Sequence, residues 1–203
     1  MTKNNSMIKQ IPNLLTSMNI FLGCMAIAFA FERNLQIAGF IVFLAAILDF
    51  LDGYFARSLN AISTFGKTLD SLADIVSFGV APSIILYQML IMSLTYHDSS
   101  FNIETASILE SIIMYTSFLV AVFSGIRLAR FTISTNSDSD KNYFYGLPTP
   151  AAAILIASIG LILVETENVE LQDLVLNTYF LVILVILLSL LMVSDLRLFS
   201  LKF

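Results

Sequence analysis

One histidine, one cysteine and no tryptophan in 203 residues remove whole classes of chemistry from this chain. A lone Cys24 excludes an intrachain disulfide, and because it lies in an apolar stretch it is expected to serve helix packing. With His97 as the only histidine there is no nitrogen-and-sulfur set of the kind zinc favours. Without tryptophan, an aromatic belt at a membrane interface is only weakly marked. Charge is scarce as well. Charged residues make up 12% against 58% hydrophobic, and a mean hydropathy of +0.87 moves the chain from the soluble globular class to the polytopic membrane class. A net charge of −5 gives nucleic acid nothing to bind, and the acids sort into one cluster and a few loops, so net charge says little about other partners.

Met1–Gln10 is short and polar and is followed by an apolar run long enough to stay in a bilayer, so no cleavable signal is expected. At about 20 residues per crossing, six apolar stretches qualify: roughly 12–31, 35–56, 69–95, 107–130, 148–164 and 175–194. The expected fold is therefore all-α, a single six-helix transmembrane domain over residues 1–203 with both termini on one side. Lys3, Lys9, Arg57, Lys67, Arg127, Arg130, Lys141, Arg197 and Lys202 fall on the side of the N-terminus, and Arg33 alone falls opposite. The positive-inside rule then puts both termini in the cytoplasm. His97, in an outer loop, is remote from the acids on this topology. Pro82, deep in the third span, should remove one backbone hydrogen bond and bend that helix.

Inside this apolar chain lies an unusual stretch. Asp49, Asp52, Gly53, Ala56, Arg57, Gly66, Asp70 and Asp74 form the pattern D-x2-D-G-x2-A-R-x8-G-x3-D-x3-D. A charged side chain near the centre of a bilayer helix costs about 2.5–3.5 kcal/mol on insertion scales, so four carboxylates need an offset, and bound cations supply one. At about 100° per residue, Asp49, Asp52, Gly53 and Ala56 share one stripe; Gly66, Asp70, Ala73 and Ser77 repeat it, with Asp74 four residues after Asp70. Ser63 and Thr64 can cap the second of these helices. A short turn between Arg57 and Thr64 folds the two helices antiparallel and brings four carboxylates to one pocket. Such an oxygen-only cage suits Mg²⁺ or Mn²⁺, and four carboxylates suffice for two ions.

The pattern resembles the signature of the CDP-alcohol phosphotransferases, integral membrane enzymes that move a phosphatidyl-type group from a CDP-linked lipid to a hydroxyl. It matches without gap or substitution. The resemblance implies metal ligation by Asp49, Asp52, Asp70 and Asp74, with Asp74 also taking the proton from the attacking hydroxyl, and it implies a homodimer. It extends to Pro12-Asn13-Leu14-Leu15-Thr16, similar to the family's first-helix motif, which places Asn13 and Thr16 near the cytidine; simple helix capping is the plainer role for these two. Asp52, Gly53, Ala56, Arg57, Gly66 and Lys67 complete the expected CDP-lipid contacts, Arg57 beside the diphosphate unless it serves only as a cytoplasmic anchor.

Downstream, Arg127-Leu128-Ala129-Arg130-Phe131 and Phe144-Tyr145-Gly146-Leu147-Pro148-Thr149-Pro150 resemble the phosphatidylserine synthase branch, as does Ile75-Val76-Ser77-Phe78-Gly79 after Asp74. This implies transfer of a phosphatidyl group from CDP-diacylglycerol to L-serine with release of CMP, at a cytoplasm-facing site in the cell membrane. Arg127 and Arg130, at i and i+3, either snorkel to headgroups or face the carboxylates and bind the acceptor. A phosphorylated acceptor such as glycerol 3-phosphate or inositol phosphate could use the same pair, and an archaeal host would supply a CDP-archaeol donor. Polar residues 134–142 are expected to form a loop able to cover the site. A cation- or proton-coupled transporter would also bury acids, but no second copy of the Asp pattern is found.

Overall fold

The computed structural model describes residues 10–134, 144–195 and 197–198. Lys3, Lys9, Lys141, Lys202, the side chain of Arg197 and nearly all of the expected 134–142 loop lie outside the described residues.

Helix α1 (Ile11–Phe31) opens on Pro12, whose missing N–H falls where no intrahelical acceptor exists. It turns back through Arg33, in the left-handed region at φ 61°, and Asn34, whose side chain accepts the Ile37 N–H at the start of α2 (Leu35–Ser58). Ala26 and Ala30 of α1 and Ala38, Val42 and Ala45 of α2 are fully buried, and these small side chains let the antiparallel pair approach closely. At the far end Asn60 takes φ 49°, and Ser63 accepts the Gly66 N–H at 3.0 Å to start α3. The expected short turn and Ser63 cap are both present.

Helix α3 runs from Thr64 to His97, 34 residues, and is the central element. Residues 81–86 are all buried, and Phe78, Met89 and Leu90 fill the core with Ile156 and Leu181. Directly after Asp74 the helix widens into a π turn over Ile75–Val80, where the Ala81 N–H reaches the Val76 carbonyl. Pro82 follows at once. The loss of a donor at Pro82 is thus absorbed by one wide turn rather than by a break, and such turns concentrate at functional sites.

Helix α4 comprises Ile108–Tyr115, a 3-10 turn at Thr116–Phe118 and Leu119–Ser134, and opens on a full Ser107/Glu110 capping box. Helix α5 (Thr149–Glu165), the short α6 (Val169–Val175) and α7 (Thr178–Val193) complete the described α-helices. The α6–α7 break, bent by 54°, is pinned to α3 by Ser93, whose hydroxyl lies 2.5 Å from the Leu176 carbonyl and 2.6 Å from Thr178 Oγ1. Gly146, at φ 75°, precedes α5; a Cβ there would collide with the Met192 carbonyl, and Leu147 donates to the Leu191 carbonyl at 2.9 Å. This junction is completed by the two-residue antiparallel pairing of Phe144–Tyr145 with Arg197–Leu198.

The chain is an all-α, polytopic membrane protein. α1, α2, α3 and α4 are long and apolar enough to cross a bilayer, and the bent α6–α7 pair makes a fifth. α5, at 17 residues, is about 25 Å long at 1.5 Å per residue, just short of a hydrocarbon core of about 30 Å. Large apolar side chains such as Phe21, Phe40, Ile47, Phe50, Ile112 and Ile183 are exposed on the outer faces, where lipid replaces water. Cys24 is also exposed, so it does not pack between helices as the sequence led us to expect.

Gly23 lets α1 lie directly on the π turn. A Cβ there would sit 2.5 Å from Ser77 Oγ and 2.9 Å from Ser77 Cα, and backbone cannot swing aside as a side-chain tip can. Gly23→Ala is expected to cost about 1–3 kcal/mol through overpacking. Gly125→Ala, where nothing lies within 4 Å of the added carbon, should be neutral or better. Thermal unfolding in detergent checks the pair; equal midpoints for the two variants would remove the close approach as a stability determinant.

Candidate active site

The carboxylates enter the site from two adjoining helices. Asp49 and Asp52 come from the last three turns of α2, Asp70 and Asp74 from the turns of α3 just before the π segment. One oxygen each from Asp49, Asp70 and Asp74 lies within 4.8 Å of the others, a spacing at which a single divalent cation can be held by all three. Asp49 and Asp74 are within hydrogen-bonding reach of one another. Asp74 Oδ1 is buried and, among the described residues, has no hydrogen-bond partner. A buried carboxylate oxygen without a donor is costly unless something cationic comes to it. Oxygen donors, close spacing and an unpartnered buried oxygen together fit Mg²⁺ or Mn²⁺.

Asp52 stands apart from this trio. It is 5% exposed, and Thr16 donates to its Oδ2 at 2.6 Å from across the α1–α2 interface, with the Pro12 carbonyl 2.9 Å from the same hydroxyl. Asp52 and Asp70 are close enough to repel one another. Thr16 therefore touches a carboxylate directly, in addition to the nucleotide contact the resemblance implies for it.

The remaining expected donor-lipid residues gather at the same end. Asn13 lies beside Gly66: a Cβ on Gly66 would come 3.0 Å from Asn13 Oδ1, so the glycine keeps the entrance between α1 and α3 narrow but open. Open space adjoins Gly53, where an added Cβ would meet nothing within 4 Å. Arg57 is exposed and turns back along its own helix, Nε donating to the Gly53 carbonyl at 3.1 Å. Ala56 is half-buried and Lys67 exposed. An open groove of about 620 Å³ borders this end, lined by Gln10, Ile11, Asn13, Leu14, Ser17 and Phe65. None of the four carboxylates lines it, so only Asn13 is common to the groove and the expected donor-lipid set.

The two arginines have different surroundings. Arg127 is half-buried within electrostatic reach of Asp74, with Nη1 3.4 Å from Thr149 Oγ1 and a buried Nε that lacks a partner among the described residues. Arg130, one turn on, is exposed and donates to the Val193 carbonyl at 3.3 Å, at the negative end of α7. His97 is exposed with its ring against Tyr96 at 5.5 Å, at the end of α3 remote from the acids.

One polar residue of the neighbourhood escaped the reading of the sequence. Asn19 is fully buried on the α1 stripe that carries Pro12, Thr16 and Gly23, and neither amide atom has a partner among the described residues. Its signal was available: an amide three residues after Thr16 in an otherwise apolar span.

Residues 9–193 match the CDP-alcohol phosphatidyltransferase family. Over 187 residues, 92% of this chain and 70% of the relative, the sequence is 41% identical to a protein of Helicobacter pylori strain J99 named CDP-diacylglycerol–serine O-phosphatidyltransferase. A protein of the same name from Methanocaldococcus jannaschii is 34% identical across 92% of this chain and 72% of its own length. An archaetidylserine synthase from Methanothermobacter thermautotrophicus is also 34% identical, over 74% of this chain and 58% of its own. With the family pattern running from before α1 to the end of α7, and its aspartates meeting in the structure, this chain belongs to the CDP-alcohol phosphatidyltransferases.

Proposed function

We propose that the protein transfers the phosphatidyl group of CDP-diacylglycerol to the hydroxyl of L-serine, giving phosphatidylserine and CMP. The observation that carries this is the convergence of the half-buried Asp49, Asp70 and Asp74 on one point, with Arg127 within electrostatic reach of Asp74. The serine acceptor is supported by the names of the relatives, which agree on serine whether the lipid is diacylglycerol or archaeol. A phosphorylated acceptor has no comparable support.

Asp49, Asp70 and Asp74, with Asp52 beside them, would hold two Mg²⁺ or Mn²⁺ ions. When bound, the ions supply charge neutralisation at the phosphoryl oxygens and the departing CMP phosphate. The chain's own groups do the rest. Asn13, Thr16, Gly53, Ala56, Arg57, Gly66 and Lys67 bind the CDP end of the donor where α1, α2 and α3 meet. Thr16 fixes the orientation of Asp52 through their 2.6 Å hydrogen bond. Asp74 takes the proton of the serine hydroxyl as its oxygen bonds to the phosphorus that carries diacylglycerol, and the bond from that phosphorus to CMP breaks. Arg127 holds the serine carboxylate, with Arg130 one turn nearer the mouth. Both helix ends that carry the site belong to the side bearing Arg57, Lys67, Arg127 and Arg130, and this positive charge supports a site at the cytoplasmic face of the cell membrane. On this reading α5 is the fifth of six spans, both termini are cytoplasmic, and the enzyme is a homodimer, as the family resemblance implies.

Purified protein with CDP-diacylglycerol should release CMP only when both L-serine and a divalent cation are present, and chelation should stop it. Release driven equally by glycerol 3-phosphate or inositol phosphate would overturn the acceptor. A CDP-archaeol donor in the same assay decides the lipid, and absence of release with every donor and acceptor would overturn the reaction.

A further inference from the structure

The amide of Asn19 is an anomaly inside the molecule. It is 0% exposed, and both Nδ2 and Oδ1 lack partners among the described residues. A buried polar group left unpaired costs about 1–3 kcal/mol, and leucine would fill the same space without that cost. The backbone at this point is firmly held. Ser77 on the π turn donates to the Asn19 carbonyl at 2.9 Å, and Gly23, one turn deeper, packs on Ser77 itself.

The level of Asn19 in the bundle follows from two contacts. Asn13 lies against Gly66, and Gly23 against Ser77, pairs separated by almost the same length of chain. α1 and α3 are therefore parallel and in register between those points. Interpolation puts Thr16 level with Asp70, and Asn19 level with Ala73 and Asp74. Helical side chains lean toward their own N-terminus, so the amide is directed from this level toward the preceding turn of α1, the turn of Thr16, and not toward the depth of the membrane. Two further side-chain atoms without a partner among the described residues belong to helices that carry the site, Asp74 Oδ1 on α3 and Arg127 Nε on α4, and these two residues are within electrostatic reach of one another.

These three groups differ in what they can bind. Arg127 offers only donors, which suit a carboxylate. Asp74 is assigned to the acceptor's hydroxyl proton. An α-amino acid also brings an ammonium, which needs an acceptor, and Asn19 Oδ1 supplies one. Gln88 Oε1 also lacks a partner among the described residues, but it lies fourteen residues beyond Asp74 on α3, about 21 Å at 1.5 Å per residue.

We infer that the side-chain amide of Asn19 is part of the acceptor pocket and accepts a hydrogen bond from the ammonium of the amino-acid substrate. Asn19 thereby sets the preference for an amino acid over an alcohol that lacks the ammonium. The inference rests on the serine reaction proposed above.

The test compares L-serine with 3-hydroxypropionate, which keeps the hydroxyl and carboxylate and lacks the ammonium, as an acceptor or, where turnover is too slow, as a competitive inhibitor. In Asn19→Leu the KM for L-serine should rise at least tenfold while the KM for CDP-diacylglycerol stays within twofold. The preference for serine over 3-hydroxypropionate should shrink by the same factor as the serine KM rises. Asn19→Ala, which adds no bulk, should behave alike and serves if the leucine variant does not purify. Loss of both acceptors in parallel would overturn the inference in favour of a structural role, a rise confined to the KM for CDP-diacylglycerol would assign the amide to the donor, and unchanged kinetics would remove it from the site. If the wild-type protein itself shows no serine-dependent CMP release, the reaction fails before Asn19 is tested.

Discussion

Asp74→Asn should abolish serine-dependent CMP release while leaving the protein folded and able to bind CDP-diacylglycerol. The side chain keeps its shape, and its new NH₂ can donate to Asp49, which already lies within hydrogen-bonding reach. Asp49 and Asp70 remain to hold a cation, and Thr16 still anchors Asp52. What disappears is the group that accepts the hydroxyl proton, a contribution of about 10²–10⁴-fold in rate, compounded by a weaker ligand at the cluster. CMP release, donor-lipid binding and thermal unfolding separate the possibilities. Near-normal turnover would remove Asp74 as the base. Loss of donor binding or of fold would make its role chiefly one of assembly.

Much of this site could be read from residue spacing because an intramembrane carboxylate has few explanations. Asp49, Asp70 and Asp74 stand on helical stripes whose phase is fixed by 3.6 residues per turn, and the turn at Arg57–Thr64 is too short for anything but an antiparallel return. Asp52 was less legible. Spacing places it on the stripe of Asp49, but the Thr16 hydroxyl that engages it comes from another helix, and no periodicity within α2 encodes that. The π turn was hidden for a related reason. Pro82 announces an interrupted hydrogen-bond ladder, but whether the helix kinks or widens depends on what packs against it, here Gly23 of α1 at Ser77 and Ser124 of α4 at Gly79. Gly146 could be noted as a letter in a familiar string. Its reason, a left-handed turn pressed on the Met192 carbonyl, exists only once α7 is in place. Arg127 and Arg130 are equivalent by spacing, and the structure separates them by depth: one beside Asp74, the other at the end of α7.

That separation leads to the second large effect. Arg127→Met should lower kcat/KM for L-serine roughly 10²–10³-fold, the kinetic equivalent of the about 3–5 kcal/mol lost when a buried charge is left without its partner. Two consequences add here. The acceptor's carboxylate loses its cation, and Asp74 loses the positive charge nearest to it among the described residues. Arg127→Lys restores the charge but not the planar fork that meets a carboxylate with two parallel donors, so it should recover only part of the loss, and mainly in KM. Arg130→Met should change kcat/KM by less than tenfold, because its guanidinium is exposed and spends its hydrogen bond on the Val193 carbonyl. Steady-state kinetics over L-serine for the three variants checks the order. Equal losses for Arg127→Met and Arg130→Met would mean that the acceptor is gripped by the pair, and a larger loss at Arg130 would move the acceptor pocket outward, away from Asp74 and toward the end of α7.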